Sequence, residues 1–311
     1  MWYLLSGIFL GGTLGANDAA NIFGTAVTTR SVKFKTAVTL TGIFVILGSA
    51  LEGAGGIETV GSLSEQSIKT AFISSLAAAL TVSLMTYLKL PVSTSQAVVG
   101  AVIGGNILIG NVNFILLVPI VIAWVATPLG AMMIAFIIYK LYSIFVQDKL
   151  SKIQYFERFV QIGLLISGIY GAYSLGANNV ANVIGVYVKA GLFDSQIGGL
   201  VGGMAIALGV NYSRGVMETV GNKITSLTPL TALIAVLSHS ITLYIFARIG
   251  IPVSSSQAIV GGVIGTGLVK GVNMLDWKTT KNIIFGWVGT PSIAVVIGII
   301  LQLTMSSLGY L

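Results

Sequence analysis

The chain lacks cysteine, contains one histidine and carries few charges for its 311 residues. Without cysteine it can form no disulfide, no thiolate nucleophile and no cysteine metal site. Charged residues make up 8% of the sequence, against roughly 25% in soluble domains, whereas 55% of the residues are hydrophobic. This composition and the apolar runs along most of the chain indicate an all-α polytopic membrane protein, since one span needs about 20 apolar residues. We expect the apolar start, 1–14, to be a mature span and not a cleaved signal peptide.

Two polar motifs occur twice within this apolar sequence. Residues 15–21 read Gly-Ala-Asn-Asp-Ala-Ala-Asn, and residues 176–182 read Gly-Ala-Asn-Asn-Val-Ala-Asn. Residues 91–97 read Pro-Val-Ser-Thr-Ser-Gln-Ala, and residues 252–258 read Pro-Val-Ser-Ser-Ser-Gln-Ala. Both pairs are 161 positions apart, which indicates a tandem duplication. Polar breaks at matching places of two halves point to the substrate site of a secondary transporter.

Each half has the same order of apolar segments, which is three single crossings and one pair. The segments are 1–29, 36–52, the pair 70–88 and 91–110, and 113–140, and then 159–187, 196–212, the pair 228–248 and 252–269, and 282–307. A pair returns to its starting side, either as two spans or as a re-entrant hairpin. Each half therefore crosses an odd number of times, and we predict two inverted repeats. The predicted boundaries are 1–146 for the first repeat, 147–158 for a cytoplasmic linker and 159–311 for the second repeat.

The net charge of +7 reflects topology, and we expect no nucleic-acid partner. With the N-terminus outside, the outer loops contain only Lys69 and Lys189 among the basic residues. The cytoplasmic loops then receive Arg30, Lys33, Lys35, Lys140, Lys149, Lys152, Arg158, Arg214, Lys223, Lys270, Lys278 and Lys281. By the positive-inside rule, we expect both termini outside a plasma (inner) membrane.

The Pro-Val-Ser motifs predict an anion site. A proline ends one apolar arm, and the Ser/Thr/Gln cluster after it can cap a new helix whose first amides have no partner within the helix. Free amides, hydroxyls and the positive end of the helix dipole favour an anion. Neither motif contains lysine or arginine, so the site would be neutral and suit a tetrahedral oxyanion, phosphate or sulfate, accompanied by cations. The alternative is a polar turn without function.

The Gly-Ala-Asn motifs predict a cation site. They bring asparagine amide oxygens together with Asp18, the only carboxylate in the middle of an apolar span. A charge at the bilayer centre costs at least about 2.5–3.5 kcal/mol, so an intramembrane acid indicates function. We expect the helix to unwind here and to add free carbonyls as cation ligands. The alternative is that these side chains only hold helices together.

These motifs resemble the signatures of the inorganic phosphate transporter family, the sodium- or proton-coupled phosphate symporters, over the whole chain. The resemblance implies two inverted repeats, two re-entrant hairpins that meet at the bound phosphate, and alternating access. It implies phosphate binding by Asn21, Asn182, Ser93, Thr94, Ser95, Ser254, Ser255 and Ser256. It implies sodium binding by Asn17, Asp18, Asn178, Asn179, Gln96 and Gln257. It is compatible with a homodimer, and sodium is the coupling ion without a further cofactor.

Two departures concern the coupling ion, because family members often have Asp in both Gly-Ala-Asn copies and Thr-His in the hairpins. Here the second copy has Asn179, and the hairpins have Gln96 and Gln257 after serine. If Asp18 is ionised, two sodium ions would neutralise it together with one dihydrogen phosphate, so we expect electrogenic uptake. Proton coupling and sulfate transport are the alternatives. No nucleophile with its base recurs at repeated spacing, so we expect no enzyme activity.

His239 is the only histidine of the chain. It could relay protons. However, it has no counterpart in the first repeat, where position 78 is alanine. We therefore expect a packed residue.

Overall fold

The computed structural model describes residues 2–88, 92–150, 153–222, 228–270 and 277–310. Within these ranges the chain forms α-helices joined by short 3-10 segments and loops, and it forms no β-strand. The helices are α1 (Leu4–Asp18), α2 (Ala20–Thr28), α3 (Phe34–Glu52), α4 (Ala54–Gly61), α5 (Ile68–Tyr87), α6 (Thr94–Asn106), α7 (Leu117–Phe145), α8 (Ile153–Lys189), α9 (Ser195–Gly209), α10 (Arg214–Asn222), α11 (Pro229–Ile249), α12 (Ser255–Lys270) and α13 (Trp277–Ser307).

The described part of the molecule exposes large apolar side chains and buries polar ones within its apolar core, as expected for a protein in a bilayer. Six described helical segments are long and apolar enough to span a membrane. Large apolar side chains such as Ile115 and Phe285 are exposed, whereas Asn17 and Asp18 are buried. Polar side chains in membrane spans face the interior of the bundle because hydrocarbon cannot solvate them. The predicted all-α polytopic class is confirmed.

The two repeats pack against each other with two-fold symmetry. On Gly15, a Cβ atom would collide with the carbonyl oxygen of Ile206, and on Gly176 it would collide with that of Val45. Gly48 approaches Tyr173 and Gly209 approaches Gly12 in the same way. In each pair of contacts the equivalent residues are 161 positions apart, so that Gly15 corresponds to Gly176 and Ile206 to Val45. The contacts join α1 to α9 and α3 to α8. The first apolar segment of each repeat therefore packs on the second apolar segment of the other repeat. This reciprocity shows a two-fold relation between the repeats, as the predicted pair of inverted repeats requires.

Each repeat contributes a helical hairpin, α5–α6 in the first and α11–α12 in the second. The second arm is the shorter one, with 13 residues in α6 and 16 in α12. At 1.5 Å per residue these arms are about 20–24 Å long, less than the roughly 30 Å of a hydrocarbon core. Each arm packs on the last helix of the other repeat, where Gly100 of α6 meets Pro291 and Gly261 of α12 meets Pro128. The hairpins are therefore held between the repeats.

The predicted unwinding is wrong for the second Gly-Ala-Asn motif. Helix α8 continues without a break from Ile153 to Lys189, through the whole motif. In the first motif the helix is interrupted at Ala19, between α1 and α2, although the φ of −61° and ψ of −24° of this residue remain helical. Small residues at both motifs allow close helix packing through Gly15 and Gly176. The second motif therefore contributes side chains and not freed carbonyls.

The predicted linker, 147–158, divides differently in the structure. A 3-10 segment covers Gln147–Leu150, residues 151 and 152 lie outside the described ranges, and α8 begins at Ile153. Helix α8 thus begins within the predicted linker, and the boundaries of the repeats stay predictions. Lys89 and Pro91, which the sequence places in the first hairpin turn, also lie outside the described residues.

Candidate anion and cation site

The second arm of each hairpin begins at a serine cap. The hydroxyl of Ser93 accepts a hydrogen bond from the amide of Gln96 at 3.2 Å, and the hydroxyl of Ser254 accepts one from the amide of Gln257 at 3.2 Å. Ser93 has an extended backbone, so the chain turns into α6 directly after it. Each hairpin therefore presents the N-terminus of a helix at its tip. We call residues 92–95 the first tip and residues 251–256 the second tip.

The two tips meet inside the protein. The Ser95 hydroxyl donates to the carbonyl oxygen of Val253 at 2.8 Å, which joins the first tip to the second. All the tip residues that the sequence predicted are buried: Ser93, Thr94, Ser95, Ser254, Ser255 and Ser256. Within the second tip, the hydroxyls of Ser254 and Ser256 are 3.0 Å apart. Two positive helix ends thus converge on one buried region.

Asn21 and Asn182 connect each Gly-Ala-Asn motif to the tip of the other repeat. Asn21 Nδ2 donates to Ser255 Oγ at 3.2 Å, and Asn182 Nδ2 donates to Ser95 Oγ at 2.9 Å. Asn179 joins the second contact, because its Oδ1 accepts from Asn182 Nδ2 at 3.0 Å. The structure therefore brings together the two motifs that lie far apart in the sequence.

Asn17 and Asn178 hold the hairpin tips in place. Asn17 Oδ1 accepts from the amide of Val92 at 3.2 Å, and Asn178 Oδ1 accepts from that of Val253 at 2.8 Å. Asn178 Nδ2 also donates to the carbonyl oxygen of Ile251 at 3.1 Å. A side chain that satisfies buried peptide groups supports an irregular backbone segment that would otherwise be costly to bury. The oxygens of this pair already have backbone partners.

We expect Asn178→Ala to destabilise the second tip. The substitution leaves the amide of Val253 and the carbonyl oxygen of Ile251 without their partner, at a cost of about 1–3 kcal/mol for each buried group. Thermal unfolding in detergent should therefore shift several degrees downward, and substrate uptake should fall with it. The matched control is Asn211→Ala, because Asn211 is exposed and its bond at 3.3 Å to the Leu208 carbonyl oxygen faces solvent. Equal melting temperatures for the two variants would contradict the bracing role.

Several buried acceptors around the tips make no hydrogen bond within the described residues. They are both carboxylate oxygens of Asp18 and the amide oxygens of Asn21, Asn182, Gln96 and Gln257. The Thr94 hydroxyl is likewise buried without a hydrogen-bond partner among the described residues. Buried polar atoms normally have partners, so unpartnered oxygens at this density suit a bound cation or a donor from a ligand. Among the described residues, no group of three His, Cys, Asp or Glu side chains could hold a metal by itself.

The sequence interpretation missed the role of His239. The residue is fully buried, as expected of a packed side chain, but its Nε2 also lies 2.8 Å from Ser255 Oγ at the second tip. Sequence spacing could not reveal the contact, because the first repeat has alanine at the equivalent position.

A cluster around Glu52 lies beside the second tip, and no role there was predicted for Glu52 from the sequence. The carboxylate accepts from Tyr173 at 2.8 Å and pairs with Arg248 at 3.6 Å. On the adjacent α4, the Thr59 hydroxyl donates to the Gly250 carbonyl oxygen at 2.6 Å. An open cavity of about 570 Å³ is bordered by Glu52, Glu58, Thr59, Ser62, Arg248 and Gly250. The signal in the sequence was Glu52 itself, a carboxylate at the end of a long apolar run.

Comparison with known proteins identifies the architecture. The profile described as the phosphate transporter family matches residues 14–161 and, a second time, residues 146–298. The chain belongs to the phosphate transporter family. The two matches cover the two repeats, and membership in a transporter family confirms that the chain is a transporter and not an enzyme.

Relatives in this family differ in the anion that their names give. The "Putative phosphate permease MJ0630" of Methanocaldococcus jannaschii is 38% identical over 293 residues, which is 93% of this chain and 92% of that protein. The "Sulfate permease CysP" of Bacillus subtilis is 32% identical over 306 residues, which is 96% of this chain and 86% of that protein. A solved structure described as "The sodium-dependent phosphate transporter" has the same fold, with a TM-score of 0.85, 23% identity, and coverage of 98% of this chain and 99% of that chain.

Proposed function

We propose that this protein imports inorganic phosphate by symport with sodium ions, through alternating access around the two hairpin tips. The observation that carries the proposal is that both tips, each a helix N-terminus with serine hydroxyls, meet in the protein interior beside a buried carboxylate. Family membership supports transport of phosphate. The sodium coupling, the mechanism and the residue assignments are our inference from the site.

The phosphate ion would lie between the tips. Two helix N-termini supply free amides and a favourable dipole field, which stabilise an anion without a neighbouring cationic side chain. The proposed ligands are the predicted hydroxyls and amides, which are Asn21, Asn182, Ser93, Thr94, Ser95, Ser254, Ser255 and Ser256. Of these, Ser93 and Ser254 also cap helices, and their hydroxyls remain able to donate to the anion.

The sodium ions would bind at the unpartnered oxygens around Asp18. Hard cations prefer carboxylate and amide oxygens, and those of Asp18, Gln96 and Gln257 have no hydrogen-bond partner within the described ranges. Asn17, Asn178 and Asn179 belong to the proposed set as well, although their oxygens also accept hydrogen bonds. Two sodium ions would neutralise Asp18 and one dihydrogen phosphate, which avoids an uncompensated buried charge.

Sulfate is the second candidate substrate, because one relative named a sulfate permease is 32% identical to this chain. Sulfate only accepts hydrogen bonds, whereas a protonated phosphate both donates and accepts. The free oxygens of Asn21 and Asn182 are acceptors close to the tips. They favour an anion that carries a proton, so we expect phosphate to be preferred.

The test is uptake of labelled phosphate into proteoliposomes under an inward sodium gradient, an inward proton gradient or neither, with excess sulfate as competitor. We expect uptake that depends on sodium, resists sulfate and moves net positive charge inward, because two sodium ions would accompany one monovalent anion. Each charge moved gains about 2.3 kcal/mol per 100 mV of membrane potential, so an inside-negative potential should accelerate uptake. Uptake driven only by a proton gradient would show that protons and not sodium ions are the coupling ion. Strong competition by sulfate would show that sulfate is the better substrate. Uptake insensitive to voltage would contradict the stoichiometry of two sodium ions per phosphate.

Location and assembly extend the same proposal. The distribution of lysine and arginine supports a plasma (inner) membrane with both termini outside. We propose a homodimer on the family resemblance alone, and crosslinking in native membranes would test it.

A further inference from the structure

His239 lies at the tip of one hairpin only. It belongs to α11, the first arm of the second hairpin, and its Nε2 is 2.8 Å from the hydroxyl of Ser255, the first residue of α12. In the first repeat the equivalent segment is Ala77-Ala78-Ala79, whereas the second repeat has Ser238-His239-Ser240. A fully buried imidazole has therefore been built into a site that is otherwise nearly symmetric.

The Ser255 hydroxyl has one hydrogen and two lone pairs to share. One lone pair accepts the hydrogen bond from Asn21 Nδ2 at 3.2 Å. Asn21 is oriented with its Nδ2 towards Ser255, and its Oδ1 has no partner among the residues that the structure describes. The remaining lone pair and the single hydrogen of Ser255 are divided between His239 and whatever lies at the tip. The tautomer of His239 therefore decides what Ser255 offers to a ligand.

The tautomer follows from the other ring nitrogen. His239 Nδ1 is buried and has no hydrogen-bond partner among the described residues. If Nδ1 carried the proton, a buried N–H donor would remain unpaired, and such orphan donors are rarer in proteins than under-satisfied acceptors. The proton is then on Nε2, which donates to Ser255. With both lone pairs of Ser255 engaged, its hydrogen is left free to point at a fourth group.

We propose that His239 is a positioning residue that makes the Ser255 hydroxyl an obligate hydrogen-bond donor to the transported oxyanion. The proposal rests on the proposed function only in that the anion lies at the tips. The neutral imidazole of His239 orients the Ser255 hydroxyl. The site thereby gains a hydrogen-bond donor without gaining a charge.

The equivalent hydroxyl in the first repeat has a different environment. Thr94 Oγ1 is buried and has no hydrogen-bond partner among the described residues, and no imidazole faces it, because position 78 is alanine. The Thr94 hydroxyl can therefore donate or accept, whereas the Ser255 hydroxyl can only donate. A phosphate with both a bare oxygen and a P–OH group matches this pair of hydroxyls.

The test compares two amide substitutions of similar size at one position. In His239→Gln the terminal amide reaches the position of Nε2 and can still donate to Ser255, whereas in His239→Asn it ends near the position of Nδ1. We expect His239→Asn to raise the KM for phosphate about tenfold, the effect of one lost hydrogen bond to a charged group, with Vmax within about twofold. His239→Gln should retain a KM close to that of the wild type. Equal melting temperatures in detergent would show that both variants fold.

A double-mutant cycle with Ser255→Ala identifies the pathway of the effect. If His239 acts through Ser255, the double variant with His239→Asn has the same KM as Ser255→Ala alone, because the positioned hydroxyl is already absent. Additive effects would overturn the proposal. So would a wild-type KM in His239→Asn, or an equal rise in both amide variants, which would indicate a packing role.

The same variants separate this proposal from the proposed function. If the wild type takes up sulfate and not phosphate, the proposed substrate is wrong. The KM for sulfate then decides for His239, because a sulfate oxygen also accepts the Ser255 hydrogen and should lose affinity in His239→Asn. If phosphate uptake is confirmed but the amide variants do not differ, the function stands and the positioning role fails.

Discussion

Asp18→Asn is expected to reduce sodium-driven phosphate uptake at least about a hundredfold while the protein remains folded. The substitution keeps the shape of the side chain and removes the only carboxylate that is fully buried among the described residues. Removing one partner of a buried ion pair typically costs about 3–5 kcal/mol, because the remaining charge loses its compensation. A sodium ion bound at the Asp18 oxygens would become that uncompensated charge. The measurement is initial uptake rate in proteoliposomes at several sodium concentrations.

The matched control is Asp148→Asn, which removes a carboxylate from an exposed 3-10 segment far along the chain from both motifs. This variant should transport at the rate of the wild type. Sodium dependence in Asp18→Asn equal to that of the wild type would remove Asp18 from the cation site. If wild-type uptake does not depend on sodium, and Asp18→Asn abolishes the uptake driven by a proton gradient, Asp18 would instead carry protons.

Gly15→Ala is expected to prevent the two repeats from packing. A Cβ atom at position 15 would overlap the carbonyl oxygen of Ile206, which belongs to the backbone of α9 and cannot rotate away. Overpacking costs typically about 1–3 kcal/mol and more where no side chain can yield, so we expect a strongly lowered melting temperature or no folded protein. The measurement is thermal unfolding and size-exclusion behaviour in detergent.

The control for this prediction lies one turn earlier on the same helix. At Gly12 a new Cβ atom would meet nothing within 4 Å. Gly12→Ala should therefore be tolerated, and the better helix propensity of alanine is worth up to about 1 kcal/mol. By symmetry, Gly176→Ala should behave like Gly15→Ala, since its contact with Val45 is the equivalent one. Similar melting temperatures for Gly12→Ala and Gly15→Ala would contradict the packing described for α1 and α9.

The predicted site residues are close together in the structure, and the duplication explains why this could be predicted from the sequence. Two motifs that recur at one spacing must occupy equivalent places in two copies of one fold, and the odd number of crossings inverts those copies. The contacts of Asn21 with Ser255 and of Asn182 with Ser95 are the result. Their sodium and phosphate roles stay predictions until transport is measured.

Other features depended on packing between segments and could not be derived from local sequence. Glycine and asparagine suggested a broken helix in the second motif, but α8 is continuous because Gly176 accommodates a neighbouring helix. The oxygens of Asn17 and Asn178 were predicted for sodium, and the structure shows that they also hold the backbone of the tips. No sequence rule assigns an amide to a peptide group 75 residues away in the chain.

The amino-acid sequence by itself determined that this is a polytopic helical membrane protein with two inverted halves and duplicated polar tips. Those conclusions follow from the composition, the lengths of the apolar segments and the duplicated motifs, which are properties of the linear chain. Only the tertiary structure decided which buried polar atoms have no hydrogen-bond partner and which side chains hold the backbone of the tips. It also decided that His239 faces Ser255. These features depend on the distances between helices of the two repeats. A single buried hydrogen bond can change the role of a residue without changing its position in the motif.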